Sequence, residues 1–448
     1  RRGVGDSPVL TGSRRAGLAH CATMGGTRAG VACAVTVSGV VMGRNAWSMA
    51  AAVVLLAGCA TSTAQGPVTM TSSSPSGSTA ASPSPASSPD VSASTSTEPS
   101  PAPSAAPASV TITVSGDLLW HNTVLSAAAE DHERTGAGKE FDFGPMFASV
   151  KPVIEGADLS ICQSEVPFAK EGGPYRSYPV FAAPPEIADQ MASLGFDYCT
   201  TTSNHALDQG FTGLKRTLDV WHDAGILTAG TFATRKDSLT PALFTTPEGI
   251  TVAVVGGTYS LNGFVEPADA PWAVASLDPD EMLASAHRAR QAGADIVLVQ
   301  IHGGNEYSSE PNDQQWDLAR KLTASDDVDL VYGQHVHVVQ PWTKVNGKWV
   351  VFSVGNLIAQ HLTNVPRGYE GVIGQFRFTA QADGTFKVDR AEYVPIYMTH
   401  YTPGSPARVL RVNDALDKGI GDRARLLVAE KRTRQTVLAL GAKGLVEG

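Results

Sequence analysis

Five short polar clusters along the 448-residue chain carry the side chains best suited to chemistry: Gly116-Asp117, Gln163-Ser164-Glu165, Ser203-Asn204-His205 with Asp208 close behind, His302-Gly303-Gly304-Asn305-Glu306, and Gly333-Gln334-His335-Val336-His337. Carboxylate oxygen, amide oxygen and imidazole nitrogen together suit Zn, Mn, Fe or a similar divalent ion, and carboxylates bridge two ions when a pair is present. Asp117, Glu165, Asn204, His302, His335 and His337 are therefore candidate metal ligands, with Glu306 and Asn356 in support. His205, His302 and Asp208 are candidates for proton transfer, because imidazole changes charge near neutral pH. Taken singly, each cluster has an ordinary explanation: Gly-Asp after a strand is commonly a turn, and a lone His is commonly a capped loop or core residue. His335-x-His337 is the sharpest, since an extended chain would put both rings on one side with their Cα atoms about 7 Å apart.

The clusters follow runs that read as strands, at 110–115 (VTITVS), 158–162, 198–201, 295–301 and 328–332, with a further strand at 250–255. Helical patterns at 147–155, 185–194, 213–224, 280–292 and 312–323 alternate with them, which predicts an α/β layered fold. Asn346-Gly347 between 342–345 and 348–353 is a hairpin signal, and 376–378 with 386–394 add antiparallel strands, so the sheets are expected to be mixed. In such folds the loops beyond the carboxyl ends of parallel strands converge on one rim, where the five clusters can meet. There is no Walker-type loop and no dinucleotide fingerprint, so a nucleotide cofactor has no visible seat.

The chain is 42% hydrophobic and 17% charged, with a mean hydropathy of -0.05, as for a globular domain diluted by polar sequence. Its formal charge is -9, yet six of its 34 Lys and Arg and one of its 43 Asp and Glu precede Cys59, so the remainder is more acidic still. Binding a nucleic-acid backbone needs a basic track, and none is present, so nucleic acid is not an expected partner. Residues 46–57 (AWSMAAAVVLLA) have the length of a signal-peptide core and are too short to span a bilayer. They close on Leu56-Ala57-Gly58-Cys59, which resembles a bacterial lipobox and makes Cys59 the expected lipidated N-terminus. Residues 59–109, almost all Ser, Thr, Pro, Ala and Gly, read as a disordered tether. The expected organisation is an upstream segment at 1–41, a signal at 42–58, the tether at 59–109, a globular domain at 110–400 and a helical tail at 401–448. The protein would be exported and lipid-anchored to the outer face of the bacterial cytoplasmic membrane. Cys162 and Cys199 fall on neighbouring strands, where a disulfide and two buried thiols are both open.

In their order, the clusters resemble the bacterial capsule-synthesis proteins of the CapA type, a family implicated in poly-γ-glutamate production and similar in fold to calcineurin-like metallophosphoesterases. Gly116-Asp117 matches the family's opening Gly-Asp, and Asp158-Leu159 leading to Glu165 matches its Ala-Asp-Leu segment ending in Asn-x-Glu. Ser203-Asn204-His205-Ala206-Leu207-Asp208-Gln209-Gly210 matches its Asn-Asn-His-x-x-Asp-x-Gly block, and His302-Gly303 with Glu306-Tyr307 its His-x-Gly-x-Glu-Tyr. Gly333-Gln334-His335-Val336-His337 matches its Gly-x-His-Pro-His, and Ser353-Val354-Gly355-Asn356 closes the set. Gln163, Gly304 and Val336 stand where the family commonly has Asn, Trp and Pro. Leu118-Leu119 follow Asp117 where metallophosphoesterases place a His ligand two residues on, and His121 lies two residues too far along to replace it without a bulge. The resemblance implies a role in synthesis, export or anchoring of poly-γ-glutamate or a related polymer, with the polymer or its synthesis machinery as partner. Two alternatives remain: a metal-dependent phosphoesterase or amidase of the envelope, and a non-catalytic binding module.

Overall fold

The computed structural model describes residues 107–360 and 365–448. All of them belong to the second of two units into which the chain divides, Glu98–Gly448. The expected upstream segment, the signal, Cys59 and all but the last three residues of the tether lie outside the described residues.

Among these residues the strands, in chain order, are β1 (Ser109–Leu118), β2 (Leu159–Ser164), β3 (Tyr198–Thr200), β4 (Leu227–Ala229), β5 (Leu243–Thr245), β6 (Thr251–Thr258), β7 (Ile296–His302), β8 (Leu330–Gln334), β9 (Trp342–Val345), β10 (Lys348–Val351), β11 (Asn356–Ile358), β12 (Glu370–Ala380), β13 (Phe386–Met398), β14 (Val409–Arg411) and β15 (Leu445–Glu447). One sheet runs β14-β13-β12-β1-β2-β3-β4, with β11 beside β1 and β15 beside β13; the other runs β5-β6-β7-β8-β10-β9. β1 to β4 are mutually parallel, as are β6, β7, β8 and β10, while β12 to β14 and the edge strands β5 and β9 pair antiparallel. The mixed, layered α/β fold expected from the sequence is the one observed.

Period-two alternation explains the layers. Val110, Ile112 and Val114 of β1, with Leu159 and Ile161 of β2, join Val252, Val254, Ile296, Leu298, Leu330 and Tyr332 of the other sheet in one buried apolar cluster. The opposite faces carry helices. Val297, Val299 and Ile301 pack under Pro279–Gln291 and Asp313–Thr323 through Met282, Ala286, Leu318 and Leu322. Both helices start where the sequence marks them: Asp278 accepts from the N–H groups of Asp280 and Glu281, and Asn312 forms a reciprocal capping box with Gln315.

Several expectations change. The helix expected at 147–155 is two short turns, Gly144–Phe147 and Lys151–Glu155, because Pro152 suits the first turn of a new helix and not the interior of an old one. A helix at Asn122–Thr135 is added, its buried stripe built from Val124, Leu125, Ala127, Ala128 and Asp131. Residues 401–448 are not only a helical tail: with the helices Val412–Lys418 and Arg423–Val437 they supply β14 and β15 to the first sheet. Cys162 and Cys199, register partners in β2 and β3, form a disulfide with their Cα atoms 4.5 Å apart.

Two glycines let the sheets close on each other at the rim. A Cβ on Gly333 would sit 1.9 Å from the Phe352 carbonyl oxygen, and one on Gly116 would sit 2.0 Å from that of Gly355. The segment between β10 and β11 thus passes from one sheet to the other, held by Val354 N–H to Gly333 O (3.2 Å) and Asp117 N–H to Gly355 O (3.2 Å). Because the obstacle at Gly333 is backbone, Gly333→Ala is expected to cost about 3 kcal/mol of stability, read as a lowered urea midpoint.

Candidate functional site

The alternation that fills the core also delivers the site. Along β7 the inward positions run Ile296, Leu298, Gln300, His302, and along β8 they run Leu330, Tyr332, Gln334, so each row turns from apolar to polar at its carboxyl end. The glutamines form a buried floor, with Gln300 Nε2 donating to Gln334 Oε1 (2.9 Å) and Gln334 Nε2 to the Ser115 carbonyl (2.7 Å). Gln163 belongs to the same layer: its Nε2 donates to Thr202 O (3.1 Å), its Oε1 accepts from the Thr200 hydroxyl, and its amide nitrogen lies 3.4 Å from His302 Nδ1. β1 changes phase here, since its register shifts on both sides of Asp117 and Leu118 turns into the helix-side core.

Above this floor Asp117, Glu165, Asn204, His302, His335, His337 and Asn356 are all buried, whereas Glu306 is exposed. His337 stands at the centre, with Nδ1 3.2 Å from Asp117 Oδ2 and 2.9 Å from Asn356 Oδ1, and Nε2 3.5 Å from Glu165 Oε1. His302 Nε2 faces Asn204 Oδ1 at 2.9 Å and Glu165 Oε1 at 4.0 Å, and its ring lies 5.0 Å from that of His335. The segment 335–337 is not extended: His335 and His337 have φ of 90° and 60°. The rings still converge, with centroids 6.0 Å apart, but they do so through a left-handed turn, which costs about 1–3 kcal/mol per residue. Bonds from the His335 N–H to Asp117 Oδ2 (3.2 Å) and from Asn356 Nδ2 to His337 O (3.2 Å) hold that turn.

Several donor atoms here lack hydrogen-bond partners. Asp117 Oδ1, both Glu165 oxygens and His335 Nδ1 are buried with no hydrogen bond. Such orphaned groups are costly in a protein interior and call for an explanation. Two sets of three donors, Asp117 with Glu165 and His337, and Glu306 with His335 and His337, each bring ligand atoms within 4.8 Å of one another. Oxygen and nitrogen donors so clustered and unsatisfied fit a divalent cation, with His302, Asn204 and Asn356 flanking the two sets.

The electrostatics carry the mark of that arrangement. Burial, reinforced by Asp117, Glu306 and Asp208 against the opposing His337, pushes the Glu165 carboxyl well above its usual range. Burial and the neighbouring imidazoles hold His302 well below the usual value and His335 down to about 3. Burial would lower His337 too, but Glu165, Asp117 and Asn356 outweigh it and raise it to about 10.

Beside the donors, His205 Nδ1 meets Asp208 Oδ2 at 2.8 Å, and the Phe181 N–H donates to the same oxygen (2.7 Å). The Phe181 ring packs edge-on against His205 with centroids 4.9 Å apart. This fixes the orientation of an imidazole at the edge of the cluster. Sequence reasoning missed two neighbours. Asn262 accepts from Asn204 Nδ2 (3.2 Å) and holds its own Nδ2 3.5 Å from His205; the Tyr259 ring lies 4.4 Å from that of His335. Both follow β6, whose end, Gly256-Gly257-Thr258, offers no acidic or imidazole signal. His121 lies at the rim after all. The β1 bulge carries it past Leu119, Gln360 N–H donates to its Nδ1 (3.1 Å), its ring lies 5.7 Å from Phe181, and burial with the charges of His337 and His205 lowers it to about 4.

The family model described as bacterial capsule synthesis protein PGA_cap matches residues 111–361, which contain every candidate ligand named above. The "PGA biosynthesis protein CapA" of Bacillus subtilis is 29% identical over 219 residues, 49% of this chain and 55% of that protein. The "Capsule biosynthesis protein CapA" of Bacillus anthracis is 26% identical over 181 residues, 40% of this chain and 43% of the relative. The chain thus spans about half the length of these curated relatives. Among solved structures, the calcineurin-like phosphoesterase YfkN of Bacillus subtilis aligns with 74% of this chain and 98% of its own, at 16% identity and a TM-score of 0.40. The match over more than half of the sequence, covering all five polar clusters, places the chain in the PGA_cap family of bacterial capsule synthesis proteins.

Proposed function

We propose that this chain is an envelope component of the synthesis, export or anchoring of poly-γ-glutamate or a related anionic polymer, and that its strand-end site works with a bound divalent ion, Zn, Mn or Fe. The observation that carries the metal reading is the set of buried donor atoms without partners: Asp117 Oδ1, both Glu165 oxygens and His335 Nδ1. Capsule synthesis is in the names of the relatives, and a polymer of carboxylates needs positive charge to approach a domain this acidic. A cation held by Asp117, Glu165, His335, His337 and Glu306 would offset the negative charge of those carboxylates. We further propose that a lipid on Cys59 holds the protein at the outer face of the cytoplasmic membrane, with the Ser/Thr/Pro/Ala-rich segment as its tether.

A second reading, a metal-dependent phosphoesterase or amidase, is favoured by the His205–Asp208 pair. When bound, the ion would polarise a substrate oxygen or activate water. Asp208, accepting from His205 Nδ1–H, would fix the tautomer that leaves Nε2 free to take or give a proton, and Phe181 would hold the ring in place.

One experiment addresses both. The full chain in detergent, loaded with Mn2+, is mixed with poly-γ-glutamate, and bound polymer and its chain length are measured. Retention that EDTA removes and Asp117→Ala abolishes supports the proposal, and retention indifferent to both contradicts it. Shortening of the polymer that stops in His205→Ala, with retention intact, would favour the hydrolase.

A further inference from the structure

On the flank of the first sheet lies a cavity of about 350 Å³ lined by Pro366, Tyr397, His400, Arg425, Val428 and Arg432. Its charge runs against that of the molecule. Residues 401–448 hold nine Lys and Arg against five Asp and Glu in a chain that is acidic overall, and the helix Arg423–Val437 alone carries Arg423, Arg425, Lys431, Arg432 and Arg434 against Glu430. That helix packs on the domain through Leu426, Ala429, Thr433 and Val437, which turns Arg425 and Val428 towards the cavity and the solvent. Arg432 also pairs with Glu370, and its Nε is buried without a hydrogen bond. Arg425 makes only a 3.5 Å contact with Asp422 beside its interaction with Tyr397.

Bare apolar side chains lie on and around the same helix. Among the large hydrophobic side chains exposed in the described residues, Val428 (49%) lines the cavity, Leu427 (45%) precedes it on the helix, and Ile420, Leu438 and Leu440 lie just beyond the helix ends. Arginines around a cavity, with bare Leu and Val beside them, suit an anionic headgroup at the arginines and apolar side chains entering the acyl boundary. A soluble polycarboxylate would satisfy the arginines and leave the apolar residues in water.

We propose that this face docks on an anionic phospholipid surface, with the cavity between Arg425 and Arg432 taking a lipid phosphate. The contact is independent of any lipid on Cys59 and of the metal at the strand-end site. It would hold the domain against the membrane in one orientation, where a tether alone would let it tumble.

The test uses the full chain carrying Cys59→Ser, so that no attached lipid contributes, in co-sedimentation with phosphatidylglycerol-rich vesicles and with phosphatidylcholine vesicles. Retention on the anionic vesicles alone is expected. Arg425→Gln should weaken it about fivefold, as expected for one basic residue at a charged surface, and Leu427→Asn should also weaken it. Both side chains are exposed, so neither change should alter the thermal midpoint. Failure to bind anionic vesicles, equal binding by parent and Arg425→Gln, or competition by inorganic phosphate with no loss in Leu427→Asn would each overturn the proposal. So would Arg425-dependent capture of soluble poly-γ-glutamate without vesicle binding, which would assign the cavity to the polymer.

Discussion

Glu165→Gln is expected to cost metal affinity about 100- to 1,000-fold while making the metal-free protein slightly more stable. Neither Glu165 oxygen has a hydrogen-bond partner, both are buried, and one lies 3.5 Å from His337 Nε2. Loss of residues that merely orient metal ligands costs 10–100-fold in affinity, so loss of a direct carboxylate donor should cost about tenfold more. The opposite sign for the metal-free chain follows from the raised pKa. A carboxyl held above its unfolded value by burial disfavours the folded state increasingly as pH rises from its unfolded pKa through its folded one, and removing the ionisable group removes that penalty. His337 loses one of its two carboxylate neighbours in the variant but keeps Asp117, so the net gain should be about 1 kcal/mol. Equilibrium dialysis with Mn2+ and thermal unfolding in EDTA read the two halves separately. Loss of affinity together with lower metal-free stability would mark Glu165 as a structural residue.

Acid is expected to destabilise the metal-stripped chain steeply. His302 and His335 are held neutral in the folded state, His335 down to about 3, whereas unfolded histidine titrates near 6.5. Between those values the unfolded chain binds more protons than the folded one, so stability rises with pH and is fully present above the unfolded pKa. Each such histidine contributes about 1.4 kcal/mol per pH unit, so two of them remove on the order of 5 kcal/mol between about pH 6.5 and 4.5. His121, lowered to about 4, acts in the same direction. His337 works the other way: raised to about 10, its contribution is fully present below 6.5 and lost as pH climbs through its folded value. Urea midpoints of the EDTA-treated chain should therefore peak at about pH 6.5, where the acid limb ends and the His337 contribution begins to be lost, and fall on both sides. In His335→Gln the acid limb should lose about one histidine's share of the slope. An acid limb unchanged in that variant would show that His335 is not neutral in the fold.

Much of the site could be read from sequence, for a reason visible in β7 and β8. Their inward rows are apolar until the last turns of strand and then carry Gln300, His302 and Gln334, so the periodicity that marks the core also marks where it opens. Asp117 was legible likewise, as the polar tip of a β-branched run, and Glu165 as a polar residue just after the strand at 158–162. What was not legible depends on distant partners or on backbone shape. The helix at 122–135 carries Asp131 on its buried face, where Arg134 and Arg408, the latter 277 residues away and at 2.8 and 2.7 Å, pair with it. Asn262 and Tyr259 reach the site from a loop with no local signal. His335-x-His337 was read as extended chain because spacing says nothing about the sign of φ. β4, β11, β14 and β15 have three residues each, too few for a periodic pattern. His121 illustrates the same limit: a bulge, not its distance from Asp117 in sequence, decides where it lies.

The central claim is that the unpartnered donors exist to hold a cation. Isothermal titration of Mn2+ into the EDTA-stripped full chain, wild type beside Glu165→Gln, near neutral pH, tests it most directly. The account predicts saturable binding of at least one ion per chain in the wild type and none resolvable in the variant. No saturable binding by the wild type, or equal binding by both, would contradict it.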